Sequence, residues 1–312
     1  MRVFTDSEVR ALLQPAEVVN AVESAFARNC GATAVLPERT QLPVDDHGLL
    51  LVMPCYDSAL PALGVKLISV FENAAQRLQA TYVLLDPASG KLHALMAANY
   101  LTEVRTAAAS AVATRHMARQ DASTLGVFGT GRQARSHIEV FTAVRNFERV
   151  LVCGSSKERS EEFASAMART LNREVEPAEA RACASQADVI CTCTSSPSPV
   201  FDGKWLPPGA HLNLVGAFQP TKREVDSETT RRARIAVDIY GALAEAGDLL
   251  IPMREGVISR AHIVADLHEL ASGKKPGRTS AEEITVFKSV GCALEDLVTA
   301  SLVWQKAEAQ RL

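Results

Sequence analysis

The chain has 312 residues, enough for two domains of ordinary size, each burying its own core. It is 47% hydrophobic and 22% charged, with a formal net charge of −3 and acids and bases interspersed, so it has neither the basic block of a nucleic-acid binder nor the basic amphipathic segment of a membrane-surface protein. The opening stretch "MRVFTDSEVR" lacks an apolar signal region and no apolar run nears membrane-spanning length, so a cytoplasmic protein is expected, with neither nucleic acid nor membrane among its partners.

The first helix is announced by Pro15 just inside its start and by Val18, Val19, Val22, Ala25 and Phe26 at helical spacing. "LPERTQLPVDDHG" then reads as a loop. Strand-like runs follow at 49–54, 63–71 and 80–86, the last ended by "PASG". From Leu101 an Ala-rich helix runs through "RTAAASAVATRHMA". After residue 124 the rhythm becomes strand, helix, strand, with strands expected at 125–128, 149–153, 187–193, 211–215 and 234–238. The intervening helices are "RQARSHIEVFTAV", "SEEFASAMARTL", "EARACAS" and "SETTRRA". Near-continuous apolar strands alternating with amphipathic helices indicate a parallel sheet covered on both faces. "LASGKKPGRTS" (270–280) reads as a linker, and "TVFKSVGCALEDLVTASLVWQKA" as a closing helix that packs on the N-terminal domain.

Seven cysteines (30, 55, 153, 183, 191, 193 and 292) are odd in number and irregularly spaced, four of them in or beside apolar strand-like runs. That suits reduced thiols acting as small hydrophobes. "CTC" at 191–193 has no second Cys/His pair at zinc spacing, so no metal is expected.

The chemistry is concentrated in "STLGVFGTGRQARSHIEVF" (123–141). A G-x-G-x-x-A turn alone is a weak signal, and a plain strand-to-helix turn would also look so. Here Gly129, Thr130, Gly131, Arg132 and Gln133 follow a strand and open a helix, and the next strand, "RVLVC", ends where the second strand of a βαβ unit should. The first glycine permits a tight turn and the second lets the backbone close on a pyrophosphate. Ala134 lets the helix sit near the sheet, and the helix N-terminus presents N–H groups to phosphate. An NAD enzyme usually places an acid at the end of that second strand to bind the ribose hydroxyls. This chain has Gly154, Ser155, Ser156 and Lys157 instead. Two hydroxyls and an ammonium would accept a 2′-phosphate, so NADPH is preferred with NADH possible; a solvated polar loop would have the same composition.

"LTEVRTAAASAVATRHMAR" (101–119), "GVFGTGRQAR" (126–135) and "EEITVFKSVGCALEDLVTASLVW" (282–304) together resemble the ornithine cyclodeaminase/mu-crystallin family. "FDGKWLPPGAHLNLVGAFQPTKREVD" (201–226) and "GALAEAGDL" (241–249) extend the resemblance over nearly the whole chain. It implies an α/β protein in which a Rossmann domain (120–284) is inserted into an α+β substrate and dimerisation domain (1–119 plus 285–312). It also implies a homodimer and a nicotinamide cofactor lying between the domains. On matching positions it implies that Arg39, Lys66 and Arg105 grip a substrate carboxylate, with Lys66 and Arg105 as catalytic groups. Thr81, Thr106, Arg132, Gln133, Thr194, Val215, Gly216 and Lys222 fall where the family touches cofactor. A guanidinium grips a carboxylate bidentately and a second cation fixes its plane, although any one of these cations alone would read as surface charge. Lys66 stands apart because it interrupts an apolar run.

Two departures narrow the chemistry. The aspartate that cyclodeaminases carry two residues after the "VG" glycine is Phe218 here, and the glutamate that reads the distal amine of ornithine is Leu51. Cyclising ornithine needs a base for that amine, and Phe218 is none. Reducing a cyclic ketimine asks only that the carboxylate be held, C2 be placed under the nicotinamide and water be excluded. Leu51, Met53 and Phe218 suit an apolar ring. An NAD(P)H-dependent reductase of Δ1-pyrroline-2-carboxylate or its six-membered homologue, giving proline or pipecolate, is therefore expected. The alternatives are a cyclodeaminase or alanine-dehydrogenase-type enzyme with another base, for which His47 is a candidate, and a non-catalytic NADPH-binding protein.

Overall fold

A computed structural model describes residues 1–28, 33–71 and 78–310; Cys30 lies outside them. The chain divides into two compact units, Met1–Ala108 with Gly291–Leu312, and Ala109–Val290.

The first unit contains a seven-stranded, mainly antiparallel sheet. Its strands are β1 (Arg2–Phe4), β2 (Ala34–Val35), β3 (Thr40–Val44), β4 (Gly48–Asp57), β5 (Ala62–Phe71), β6 (Leu78–Leu85) and β7 (Leu92–Ala97), in the order β1-β7-β6-β5-β4-β2 with β3 also on β4. β4 and β5 pair from Gly48↔Phe71 to Asp57↔Ala62, so side chains of one parity share a face. Leu51, Met53, Cys55, Lys66, Ile68, Tyr82 and Leu84 form the buried face. Helix α1 (Asp6–Leu12) and the last helix of the chain lie against this sheet, and α2 (Pro15–Ala27) packs on that last helix. The anticipated α2 residues Val18, Val19, Val22, Ala25 and Phe26 are all buried. The opposite face carries Leu50, Val52, Leu63, Val65, Leu67, Val83 and Leu85, all half-buried.

Two expectations fail in this unit. β3 replaces part of the expected loop, because Thr40–Val44 gains ladder partners from Val52 back to Gly48. α1 was not anticipated, although Thr5 and Glu8 form a reciprocal capping box at its start. Helix α3 (Asn99–Met117) is the Ala-rich segment.

The second unit is a parallel eight-stranded sheet. Its strands β8 (Thr124–Phe128), β9 (Arg149–Cys153), β10 (Glu176–Pro177), β11 (Val189–Thr192), β12 (His211–Leu214), β13 (Ala233–Val237), β14 (Ile263–Asp266) and β15 (Ile284–Lys288) run in the order β10-β9-β8-β11-β12-β15-β13-β14. The connections reverse direction at β8, which makes the carboxyl ends of β8 and β11 a topological switch point. Helices α4 (Arg132–Val144), α5 (Lys157–Leu171), α6 (Ala180–Gln186), α7 (Ser227–Arg232), α8 (Gly247–Arg254) and α9 (Leu267–Ala271) belong to the same unit.

The expected closing helix is corrected by β15. Ile284, Thr285, Val286 and Phe287 are β-branched or aromatic, and all five residues of the strand are buried between β12 and β13. Helix α10 starts only at Ala293 and runs to Ala309, after Gly291 at φ +79°. The division at 285 expected from the sequence thus falls inside a strand of the second unit. Nor is 270–280 a loose linker: Arg278 donates to the carbonyls of Met117 (2.7 Å) and Gly209 (3.0 Å) and to Thr285 Oγ1 (3.1 Å). Among the described residues no helix is long and apolar enough to cross a membrane. Cys191 and Cys193 are buried at the end of β11, and burial pushes both thiols up.

Candidate active site

The glycine turn has the geometry that its residues call for. Gly129 adopts φ +115°, and a Cβ there would lie 2.6 Å from the Cys193 carbonyl oxygen, so the turn from β8 packs directly on the end of β11 and tolerates no side chain. Gly131 is exposed, has nothing near its missing Cβ, and occupies the N-cap of α4 without a side-chain cap. A pyrophosphate can approach this backbone, and the first-turn N–H groups of a 13-residue helix face it. Arg132 is exposed; Thr130 and Gln133 are half-buried beside the turn.

At the end of β9, Ser155, Ser156 and Lys157 are exposed as a polar edge. Ser156 accepts from Arg159 N at 3.3 Å as the N-cap of α5, and Lys157 lies 3.8 Å from Glu161. Those two side chains have local roles in the helix, and Ser155 is the one that the cap does not engage.

A buried network that sequence reasoning missed ties the loops after β11 and β12 together. Glu224, fully buried, accepts from Thr194 N (2.7 Å) and Thr194 Oγ1 (2.8 Å) on one oxygen, and from Gly216 N (2.7 Å) and Thr192 Oγ1 (2.8 Å) on the other. Asp248, in the first turn of α8, accepts from Glu224 N (2.7 Å) and pairs with Lys288 of β15 (2.8 Å), which also donates to the Ala217 carbonyl. Burial and Asp248 push the Glu224 carboxyl up, and Lys288 with the surrounding donors opposes them. A Cβ on Gly216 would sit 2.1 Å from the Thr194 carbonyl oxygen, so the two loops touch through their backbones. The network thereby fixes Thr194, Val215, Gly216 and the loop bearing half-buried Phe218 and Lys222. The sequence signal was Lys288 at the end of the apolar run "ITVF", the same kind of interruption that marked Lys66.

In the first unit Lys66 and Arg105 come together. Lys66 is completely buried in the middle of β5, opposite Met53 on β4 and Tyr82 on β6. Its ammonium lies 2.6 Å from Asp296 Oδ1; the Arg105 Nε lies 2.9 Å from the same oxygen, and Arg105 Nη1 is 2.7 Å from Glu295 Oε2. Glu295 and Asp296 stand in the first turn of α10 and are also fully buried. Two cations and two anions balance, as burial at this depth requires. Burial and the neighbouring Arg105 push Lys66 down to about 8, against the pull of Asp296. Burial opposes the charge of Arg105, but Asp296 and Glu295 outweigh it and hold the guanidinium protonated. Burial, Asp296 and Cys55 push the Tyr82 phenol well up.

Arg39 is half-buried and precedes Thr40, whose partner is Val52, so it stands level with Met53 and Lys66. Leu51 and Met53 share the buried face with Lys66. Thr81 is not with them: it pairs with Leu67 and is exposed on the opposite face of the sheet. Thr106 is buried in α3 and bonds back to the Thr102 carbonyl at 2.7 Å. His47 lies at the exposed tip of the β3–β4 hairpin, away from the buried face. The acids Glu295 and Asp296 lie in the stretch "CALEDL", where nothing in the local spacing marks them as partners of Lys66 and Arg105.

The model of the ornithine cyclodeaminase/mu-crystallin family matches residues 1–311. The chain belongs to that family. Within it, the chain is similar to a Δ1-pyrroline-2-carboxylate reductase of Bacillus cereus, with 37% identity over 98% of this chain and 97% of that protein. It is 40% identical to the ketimine reductase mu-crystallin of Rattus norvegicus, over 89% of this chain and 87% of that one. The solved structure of the Thermococcus litoralis Δ1-pyrroline-2-carboxylate reductase in complex with NADH and L-proline superimposes with a TM-score of 0.96 at 38% identity, covering 100% of this chain and 99% of that one. Membership of the family gives the two departures their weight. Leu51 is hydrocarbon on the buried face beside Lys66, and Phe218 is hydrocarbon on the loop after β12.

Proposed function

We propose that this protein is an NAD(P)H-dependent reductase of cyclic ketimine carboxylates, converting Δ1-pyrroline-2-carboxylate to L-proline and accepting Δ1-piperideine-2-carboxylate to give L-pipecolate. The observation that carries it is the pair of buried cations, Lys66 and Arg105, on a face otherwise built of hydrocarbon. A protein that only stored cofactor would have no use for them. An ammonium has three donors, and Asp296 Oδ1 takes one of those on Lys66, leaving donors for a carboxylate. Arg105 and Arg39 add guanidinium groups able to hold the same carboxylate in plane. These residues touch substrate in this scheme, and Lys66 and Arg105 are its catalytic groups.

When bound, a reduced nicotinamide would supply a hydride to C2 of the imine already protonated on nitrogen, which gives the secondary amine. The residues of the chain do the rest. Lys66, Arg105 and Arg39 fix the carboxylate and hence the face of C2 presented for reduction. Leu51 and Met53 on the face of Lys66 exclude water, and neither they nor Phe218 offers a base for a free amine. The glycine turn from Gly129 to Gln133, with Thr106, Thr194, Val215, Gly216 and Lys222, would hold the cofactor, so residues 109–290 form the nucleotide domain and the remainder the substrate domain. Ser155, with Ser156 and Lys157, favours NADPH because no acid faces a 2′-phosphate. Thr81, exposed on the far side of the sheet from Lys66, would meet the cofactor from that side. The half-buried apolar face around Leu63, Val65, Leu67, Val83 and Leu85 supports a homodimer, since a second copy would cover it. A cytoplasmic location accords with the free thiols of the six described cysteines, five of them buried.

The test is loss of NADPH absorbance with each cyclic imino acid, beside an incubation with L-ornithine and NAD assayed for ammonia and proline. Rapid NADPH oxidation and a silent ornithine assay are expected. Stoichiometric ammonia and proline from ornithine at a comparable rate would make the protein a cyclodeaminase with another base, and no turnover of any imine would leave a binding protein.

A further inference from the structure

We propose that Asp296, supported by Glu295, is a positioning residue of the imino-acid site: its Oδ1 holds the Lys66 ammonium and the Arg105 guanidinium side by side as one clamp for the substrate carboxylate. The inference rests on the reductase function proposed above and assigns a role to residues that function did not use.

Three elements meet at one atom. Lys66 comes from β5, Arg105 from α3 and Asp296 from α10, with contacts of 2.6 Å and 2.9 Å to the same oxygen. One carboxylate oxygen that accepts a hydrogen bond from Lys66 and lies in ion-pair contact with the Arg105 Nε keeps the two cations at neighbouring positions, the arrangement that a substrate carboxylate requires. Glu295 takes Arg105 Nη1 at 2.7 Å and sets the rotation of the guanidinium. From the other side, Gly291 presses its backbone on the guanidinium, since a Cβ there would lie 2.4 Å from Nη1. Arg105 is therefore held on two sides.

A cluster that served only the core would satisfy its own polar atoms. This one does not. Among the described residues Asp296 Oδ2, the Tyr82 hydroxyl and Arg105 Nε are buried without a hydrogen-bond partner, and Tyr82 stands directly opposite Lys66 in the sheet. The ammonium likewise retains donors beyond the one given to Asp296. The clamp is thus surrounded by unspent hydrogen-bonding capacity that suits the substrate: donors for a carboxylate, an acceptor for an N–H.

The charged and titratable groups facing Lys66 are Asp296 and Glu295 on α10, Arg105 on α3 and Tyr82 on β6, with Arg39 level with it before β3. Lys66 is held at about 8, below an ordinary lysine, so the clamp loses its ammonium as pH rises through that value. Asp296 raises Lys66, and without it the loss begins at lower pH.

The experiment measures kcat/KM for Δ1-pyrroline-2-carboxylate with NADPH from about pH 6 to about pH 9, in wild type, Asp296→Asn, Lys66→Met and the double variant. Titration of the substrate itself is common to all four and drops out of the ratios. NADPH titration and thermal melting report whether each variant is folded. Asp296→Asn is expected to lower kcat/KM on the order of ten- to a hundredfold, to move the alkaline limb down by about one pH unit or more, and to leave NADPH affinity unchanged. Added to Lys66→Met it should cost less than about twofold, because it acts through Lys66. An Asp296→Asn enzyme with wild-type kcat/KM and pH profile, or losses that multiply in the double variant, would overturn the inference while leaving the reductase function standing. Unimpaired kcat/KM in Lys66→Met would remove that function, and the inference with it. Should Asp296→Asn not fold, Asp296→Glu keeps the charge and displaces it; a lowered kcat/KM with the alkaline limb near its wild-type position supports the clamp, and unchanged kcat/KM overturns it.

Discussion

Replacing Glu224 with Gln changes neither its size nor its shape, and the hydrogen-bond geometry dictates the cost. Each carboxylate oxygen receives one backbone N–H, from Thr194 at 2.7 Å on one side and from Gly216 at 2.7 Å on the other, as well as one hydroxyl. A hydroxyl can turn to accept from an amide, but a backbone N–H cannot. Whichever way the Gln amide is placed, its NH2 meets an N–H donor, and one buried donor is stranded at about 1–3 kcal/mol. The two bonds kept by the amide oxygen also lose their charge assistance, roughly another 1–2 kcal/mol together. Relief of repulsion with Asp248 offsets part of this, leaving a net destabilisation of about 2–3 kcal/mol. Because the strain falls on the loops bearing Thr194, Val215 and Gly216, the Kd for NADH or NADPH should rise about tenfold or more. Cofactor fluorescence titration beside thermal melting measures both effects. Unchanged Kd and Tm in Glu224→Gln would mean that the native carboxyl is protonated or that the network does not set the loops, and would refute the reasoning.

Gly291→Ala places a methyl group against the Arg105 guanidinium at a residue with φ +79°, and should lower kcat/KM for the imino acid by about tenfold with little effect on cofactor affinity; an Ala variant with wild-type kinetics would show that Arg105 has room to move. His137 and His211 are buried and held neutral, pushed down to about 4 and about 3 by burial, so the unfolded chain takes up protons first as pH falls below about 6.5. Each should withdraw about 1.4 kcal/mol between about pH 7.5 and about pH 5.5, and His137→Gln should halve that dependence in urea melts; a profile as steep as wild type would count against it. Ser155→Asp should weaken NADPH far more than NADH by setting an acid against the 2′-phosphate, and equal losses for both would remove the cofactor preference.

What the sequence determined alone is what depends on neighbours in the chain. Pro15 and the apolar spacing after it specify α2, and the alternation after residue 124 specifies strand and helix, because propensity and periodicity act over a few residues. The glycine turn is legible for the same reason: its φ and its helix start are local. Lys66 was visible as a charge inside an apolar strand. Tertiary structure decided where an apolar run has no period to read. Residues 284–288 continue into a helix-forming segment, and only the slot between β12 and β13 makes them a strand, with the boundary of the units following it. It also decided the partners of the buried charges. Lys66 meets Asp296 across 230 positions and Arg105 meets Glu295 across 190, while Glu224 takes donors from Thr192, Thr194 and Gly216 on separate loops. A buried charge announces that it needs a counter-charge, because desolvation leaves no alternative. Which residue supplies it is set by the packing of helix on sheet, which spacing along the chain does not encode.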